Sequence, residues 1–173
     1  FFGHPRVVDQ SLAKLVTMNF IPTSSVLARR AALLQAGGFD EQFRKAEDWD
    51  LWLRMALDRP LVYSSKLLVL KRVHEVNTSH DAEGMNVAAL RVLEKLQRDH
   101  QARLTKLGID MSRVLRDGYR NLGYFYLRQI ALAEARRALS RSLALGFQLR
   151  SLAYFLSTFL GRGLVGSLVR ARG

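Results

Sequence analysis

Apolar residues recur at helical spacing through most of this chain and run together in only a few places. The densest stretch is Ala46 to Pro60. There Trp49, Trp52, Leu53, Ala56 and Leu57 stand at i, i+3, i+4, i+7 and i+8, one face of a helix. Asp50, Arg54 and Asp58 fall on the other side at i, i+4 and i+8, so Asp50 and Arg54 are expected to form an exposed ion pair. Upstream, Leu12, Leu15 and Val16 predict a short helix within Asp9 to Met18. Asn19 to Ala28 reads as extended around a break at Pro22, and Ala31 to Ala36 as a short helix stopped by Gly37-Gly38. Phe39 to Lys45 is a loop. Beyond Pro60, Leu61-Val62-Tyr63 and Leu67 to Val73 predict strands, the second too apolar to be exposed on both faces. His74 to Ser79 is a polar loop.

From Asp81 onward the pattern is helical throughout. Ala89, Leu93, Leu96, Leu104 and Leu107 mark one long amphipathic helix ending at Gly108. Arg113 to Gln129 and Ala131 to Leu145 form a helical pair, the second carrying Leu132, Ala135, Leu139 and Leu143 on one stripe before Gly146. Alanine-rich and decorated with arginine, the pair (about 113–146) resembles one tetratricopeptide hairpin, which cannot bury its own face alone. A last helical stretch, Ser151 to Arg172, is weakened by Gly161, Gly163 and Gly166. Packing on the hairpin is expected for it ahead of a place on a bilayer surface.

Composition narrows the class. With 49% hydrophobic and 24% charged residues the chain is globular, and with no cysteine it has neither a disulfide framework nor a Cys-based zinc site. No apolar run reaches the length of a membrane span. The net charge is +12 and uneven: residues 1–80 hold 11 Lys and Arg against 8 Asp and Glu, residues 81–173 hold 16 against 7. A basic helical half suits an anionic partner such as lipid headgroups. The arginines are spread singly and no nucleic-acid motif is present, so nucleic acid is not an expected partner.

Candidate chemistry sits at the mouth of the central helix, where Glu47 and Asp48 are adjacent. The i+3 and i+4 neighbours of Asp48 are Leu51 and Trp52, so its own helix offers it no cation. A carboxylate placed there can take a proton from a bound hydroxyl. It can equally cap the helix and complement its dipole.

The segment FIPTSSVLARRAALLQAGGFDEQFRKAEDWDLWLRMA, followed by LLVLKRVHEVNTS, resembles the second half of family 2 glycosyltransferase catalytic domains, over roughly Val16 to Ser79. The resemblance implies the α/β GT-A fold, with residues 1–80 as its acceptor-side half and residues 81–173 as an α-helical extension. It implies an inverting transfer of sugar from a nucleotide-sugar donor to a hydroxyl acceptor, glycan or lipid-linked, in bacterial polysaccharide or glycoconjugate synthesis. The family's acidic pair falls on Glu47 and Asp48, with Asp48 as the base and Glu47 orienting loop or acceptor. Gly37, Gly38 and Phe39 match the glycine turn beside donor sugar and acceptor. Thr23, Ser24 and Ser25 match a small polar stretch lining the cleft. Trp49 is core by spacing, and at a cleft edge it could stack on a sugar. His74 stands in the family's Arg-x-His pattern, which implies a ligand for a divalent cation, Mn²⁺ or Mg²⁺, with Arg72 near the diphosphate. A hydrogen-bonded strand-end histidine is the alternative.

The family's N-terminal nucleotide-binding units and its Asp-x-Asp metal motif have no counterpart here. Asp48-Trp49-Asp50 has those letters but stands at the base's position, with its acids on opposite helix sides. The chain is therefore expected to be the C-terminal part of a longer enzyme, inactive alone, with the cation held mostly by the other half. Action in the cytoplasm, with the basic helices bringing it to the inner face of an anionic membrane or to a protein, is the accompanying expectation. The competing reading is a non-catalytic helical interaction module on a glycosyltransferase-like scaffold.

Overall fold

The computed structural model describes residues 6–8, 10–70 and 81–160. The described residues are mostly helical, with seven α-helices, one 3-10 turn and one pair of two-residue strands. Contacts divide the chain into two compact units, Phe1–His100 and Gln101–Gly173.

The first unit is built on helix α3 (Glu47–Asp58), which follows a 3-10 turn (Thr23–Ser25) and the short helices α1 (Ser11–Leu15) and α2 (Arg30–Gln35). Ala46 enters α3 in the left-handed conformation, φ 57° and ψ 20°, with no side-chain cap. The first turn carries Glu47, Asp48 and Asp50, and negative charge is favourable at that end of the helix dipole. An extended Arg59 followed by Pro60 ends the helix. Trp49, Leu51, Trp52, Leu53, Ala56 and Leu57 are all buried, so α3 is covered on nearly every side. Helix α1 packs on it. The Leu15 carbonyl accepts the Trp49 indole N–H at 2.9 Å, which lets that ring sit in the core with its donor satisfied.

Strand β1 (Arg6–Val7) pairs antiparallel with β2 (Val62–Tyr63), Arg6 opposite Tyr63 and Val7 opposite Val62. Helix α4 (Ala82–Lys106) starts where the Asp81 carboxylate accepts the Gly84 N–H at 2.9 Å. Its backbone leaves helical geometry at His100, φ −134° and ψ 19°, where the two units divide.

A buried charge cluster ties α2, α3 and α4 together. Asp50, 3% exposed, accepts from Arg54 Nε at 2.9 Å and Nη2 at 2.6 Å on one oxygen, and from Lys95 Nζ at 2.8 Å on the other. Lys95 also donates to Asp40 at 2.8 Å. The remaining donors of Arg54 go to the Ala36 carbonyl and, at 2.7 Å, to the Gly38 carbonyl. These carbonyls flank the turn after α2. Gly37 and Gly38 adopt φ of 84° and 69°, with Gly38 N–H on Leu33 O at 2.9 Å and Gly37 N–H on Leu34 O at 3.0 Å. That is a Schellman stop, which glycine makes without a Cβ penalty. The expectation of an exposed Asp50–Arg54 pair is corrected here: the pair forms, but beneath the surface, because a third charge from α4 closes over it.

The second unit comprises α5 (Met111–Arg128), α6 (Leu132–Ala144) and α7 (Leu149–Ser157). Asp110 caps α5 by accepting the Arg113 N–H at 3.0 Å. Helices α5 and α6 pack as a hairpin around Leu127, Ala135 and Leu139, with Tyr154 and Phe155 of α7 against the same cluster. At Gly123 the α5 backbone lies so close that an added Cβ would stand 2.5 Å from Leu139 Cγ. Ser142 on α6 donates to Arg116 O at 2.9 Å and meets Ser151 of α7 at 2.9 Å, pinning the third helix to the first two.

Asn19 to Ala28 breaks at Pro22 as expected, and the break is a 3-10 turn, Thr23–Ser25, between an extended Pro22 and an extended Val26. One expected strand takes another form. Leu67 to Leu70 has no regular structure and is exposed, Leu67 at 91% and Leu70 at 92%. A strand needs a ladder partner, and the short β1–β2 pair is the only ladder among the described residues. Residues 71–80 and 161–173, which include the end of that strand, the loop His74 to Ser79 and the glycine-rich end of the last helix, lie outside the described residues.

Gly123→Ala is expected to lower the stability of the helical unit. Alanine gains about 1 kcal/mol in helix propensity, but overpacking a fully buried Leu139 costs about 1–3 kcal/mol. Urea unfolding should show a net loss. Asp50→Asn leaves two inward cations short of an anion and should cost about 3 kcal/mol, the low end for a broken buried pair, since Arg54 and Lys95 stay partly hydrated. Asp40 supplies a pH signature. The Lys95 hydrogen bond, then the Gln42 N–H, hold its carboxyl below the ordinary aspartate value. A depressed pKa contributes stability that is full above the unfolded value and lost as pH falls through the folded one. Asp40→Asn should therefore lower the urea midpoint at neutral pH, and the deficit should shrink below about pH 4.

Candidate active site

Helix α3 presents its two acids differently. Asp50 is committed to the buried cluster, whereas Asp48, two residues earlier and half-buried, faces the segment between α1 and α2. Asn19, just after α1, donates to Asp48 Oδ1 at 3.3 Å, and its own side-chain oxygen accepts the Ile21 N–H at 3.2 Å. Thr23, the first residue of the 3-10 turn, donates its hydroxyl to Asp48 Oδ2 at 2.7 Å. The Trp49 N–H completes the set at 2.6 Å on Oδ1. An ionised carboxylate offers about four acceptor positions. Among the described residues three are taken, which leaves Oδ2 room for one more donor, and the neighbouring Thr23 is exposed to solvent. This is a fixed carboxylate with one open position, the arrangement a positioned base requires. The bond to Trp49 N–H also satisfies one of the free N–H groups in the first turn of α3.

The other expected site residues are placed as follows. Glu47 begins α3 beside Asp48 and is half-buried. Ser25 spends its hydroxyl on the Pro22 carbonyl at 2.8 Å inside the 3-10 turn, and Ser24 is exposed. Gly37 and Gly38 are held through Arg54 on the Asp50 side of α3. Phe39 meets Trp52 edge to face, centroids 6.5 Å apart. Trp49 is packed in the core, 6% exposed. Arg72 and His74 lie outside the described residues.

Sequence reasoning missed Asn19 and Lys95. Both act across the chain, 29 residues from Asp48 and 45 from Asp50, and no local spacing points to either. A polar residue between two apolar stretches was the one signal available for Asn19.

A groove of about 800 Å³ opens beside the same turn. Pro22 and Ser25 line it together with Trp52, and its charged lining residues are Arg29, Arg59 and Lys66, with no acid among them. Glu47 and Asp48 are not part of the lining; the 3-10 turn links them to it, since Thr23 bonds Asp48 while Pro22 and Ser25 face the groove. Among the described residues no three His, Asp or Glu side chains converge as a metal site would require. What these residues offer chemically is proton acceptance at Asp48 and a cationic surface for anionic groups.

A sequence model described as glycosyltransferase like family 2 matches residues 4–107, a span that takes in the acid pair, the glycine turn, the groove and all of α4. No curated protein and no solved structure matches the chain. The match covers more than half of the 173 residues, and the chain belongs to the glycosyltransferase-like family 2.

Proposed function

We propose that this chain carries the acceptor side of an inverting glycosyltransferase of GT-A type, with Asp48 as general base. The single observation that supports it most is the state of that carboxylate: fixed by Thr23, Asn19 and the Trp49 N–H, half-buried, and with one acceptor position open. An alcohol is a weak nucleophile at neutral pH, and a base aligned with it removes the proton as the new bond forms. In the proposed step the acceptor hydroxyl gives its proton to Asp48 Oδ2, and its oxygen attacks the anomeric carbon of the nucleotide-sugar from the face opposite the diphosphate. The bond from that carbon to the diphosphate oxygen breaks, and nucleoside diphosphate leaves. Glu47 would orient the acceptor beside this position. The glycine turn, braced by Arg54, would carry Phe39 toward donor sugar and acceptor.

The donor's diphosphate and a divalent cation belong, in this proposal, to residues other than those described, His74 and Arg72 among them. The groove lined by Arg29, Arg59 and Lys66 is suited to the anionic part of a substrate, such as the phosphate of a lipid-linked acceptor. The likeness to family 2 enzymes of polysaccharide and glycoconjugate synthesis supports a sugar or lipid-linked sugar as acceptor. No helix among the described residues is long and apolar enough to cross a membrane.

The test is nucleotide release by the full open reading frame's product, with UDP-, GDP- and dTDP-sugars, candidate acceptors, and Mn²⁺ or Mg²⁺. Asp48→Asn should lower kcat by about 10²–10⁴-fold while the melting temperature stays near wild type, because the amide oxygen can still accept the Trp49 N–H. Thr23→Val, which frees Asp48 to rotate, should lower kcat by about tenfold. Unchanged activity in Asp48→Asn would return that residue to helix capping. Absence of turnover by wild type with every donor would favour the non-catalytic interaction module.

A further inference from the structure

The helical unit ends in a helix with two unlike sides. Ser151 of α7 is fully buried and bonded to Ser142, so the face that carries it is the packed one. Leu149, Ala153 and Leu156 fall at i, i+4 and i+7 on another face and are all exposed, Leu149 at 73% and Leu156 at 55%. Phe147 before the helix is 72% exposed, and Phe159 after it 61%. Helix α7 thus carries exposed apolar surface, with a further exposed phenylalanine just beyond each end. Exposed apolar surface gathered in one place marks an interaction site more often than scattered single residues do.

The rim of this surface is cationic. Arg150 is exposed beside Leu149. The Arg136 guanidinium lies 4.2 Å from the Phe159 ring centroid, held by the Thr158 carbonyl at 3.0 Å and hydroxyl at 3.2 Å. Arg116 borders the other end, since a Cβ on Gly146 would stand 3.1 Å from its Nη1. Residues 101–160 hold 10 Lys and Arg against 3 Asp and Glu. Two of those acids are engaged within the unit. Asp110 caps α5, and Asp117 accepts from Arg120 at 3.0 Å and Gln148 at 2.8 Å while standing 3.7 Å from Arg116 Nε. The third, Glu134, is in the first turn of α6.

We propose that this face docks on an anionic lipid bilayer, with Phe147, Leu149 and Leu156 entering the headgroup–acyl boundary and Arg150 and Arg136 among the lipid phosphates. Exposed apolar surface rimmed by arginine is the form a helix takes at such an interface, and guanidinium pairs well with phosphate. A second copy is disfavoured by the same charges, because a two-fold contact through this face sets the arginine rim against its own image. Nucleic acid would meet the arginines but leave the apolar surface uncovered. The inference stands apart from the transfer reaction and holds whatever Asp48 does.

The experiment is vesicle co-sedimentation of the full chain. Vesicles of phosphatidylcholine alone are compared with vesicles carrying roughly 30% phosphatidylglycerol, a level of anionic lipid at which basic segments bind. Binding to the anionic vesicles should be at least about tenfold tighter and should weaken as salt shortens the Debye length. The double variant Leu149→Ser, Leu156→Ser, at exposed positions, should bind about tenfold more weakly with an unchanged melting curve. A Phe147→Trp reporter should shift its emission to the blue only with anionic vesicles, since Trp49 and Trp52 are buried. Equal binding to both vesicles, no binding, or binding that survives the leucine substitutions would overturn the proposal. So would a doubled mass in light scattering that these substitutions abolish, which would give the face to a second copy.

Discussion

The first unit depends on a carboxylate that solvent barely reaches. Asp50 answers Arg54 with one oxygen and Lys95 with the other. Through Arg54 it holds the carbonyls of the glycine turn, and through Lys95 it draws in Asp40 and helix α4. Removing an ionised group from water is expensive, and attraction offsets that cost only where geometry is good and the remaining donors are used. Both conditions hold: each Asp50 oxygen is engaged, and Arg54 distributes its donors over a carboxylate and two backbone carbonyls. Such a cluster is weak evidence for net stability but points to a defined arrangement, since each partner is fixed by more than one hydrogen bond.

That arrangement explains why two acids two residues apart can behave so differently. Two residues along a helix turn the side-chain direction by about 200°, which sends Asp48 and Asp50 to different sides. Asp50 meets cations and becomes part of the frame. Asp48 meets only neutral donors, Asn19, Thr23 and a backbone N–H, which fix its direction without neutralising it. A base must be held still and yet keep its negative charge available; salt-bridging it would work against the second requirement. The frame supplies the rigidity instead, because α3 is anchored by Asp50 on one side and by the Trp49–Leu15 bond on another.

The sequence made the local features legible and the distant ones invisible. The apolar stripe of α3, its start at the acid pair and its stop at Pro60 follow from residues within a few turns. The glycine stop of α2 does too, since the Leu33–Gly38 contact is short-range. Asp50 shows where such reading ends: i, i+4 spacing finds Arg54, but the burial of the pair comes from Lys95 on another helix, and no spacing encodes that. The apolar run Leu67 to Leu70 reads as a strand because composition reports what a segment could bury, whereas a strand forms only where a neighbour completes its ladder. Of the candidate site, Asp48 and Thr23 were legible and are joined by a hydrogen bond; the part played by Asn19 required the fold.

Charge completes the comparison between the units. In the first, cations and anions interlock, and Asp40, Asp50, Arg54 and Lys95 leave little field beyond the cluster. In the second, residues 101–160 set ten basic residues against three acids, and the best-engaged acid, Asp117, is shared among Arg120, Gln148 and Arg116. Folding of α5 to α7 relies instead on close packing at Gly123 and on hydroxyl contacts between Ser142 and Ser151. Some arginines serve the unit itself, Arg120 donating to Asp117 and Gln148 and Arg136 to Thr158, but three acids cannot neutralise ten basic residues. They repel one another at a net cost to the isolated unit. A positive excess of this size, set beside exposed apolar surface, is more readily understood as half of an interface than as a property of the fold.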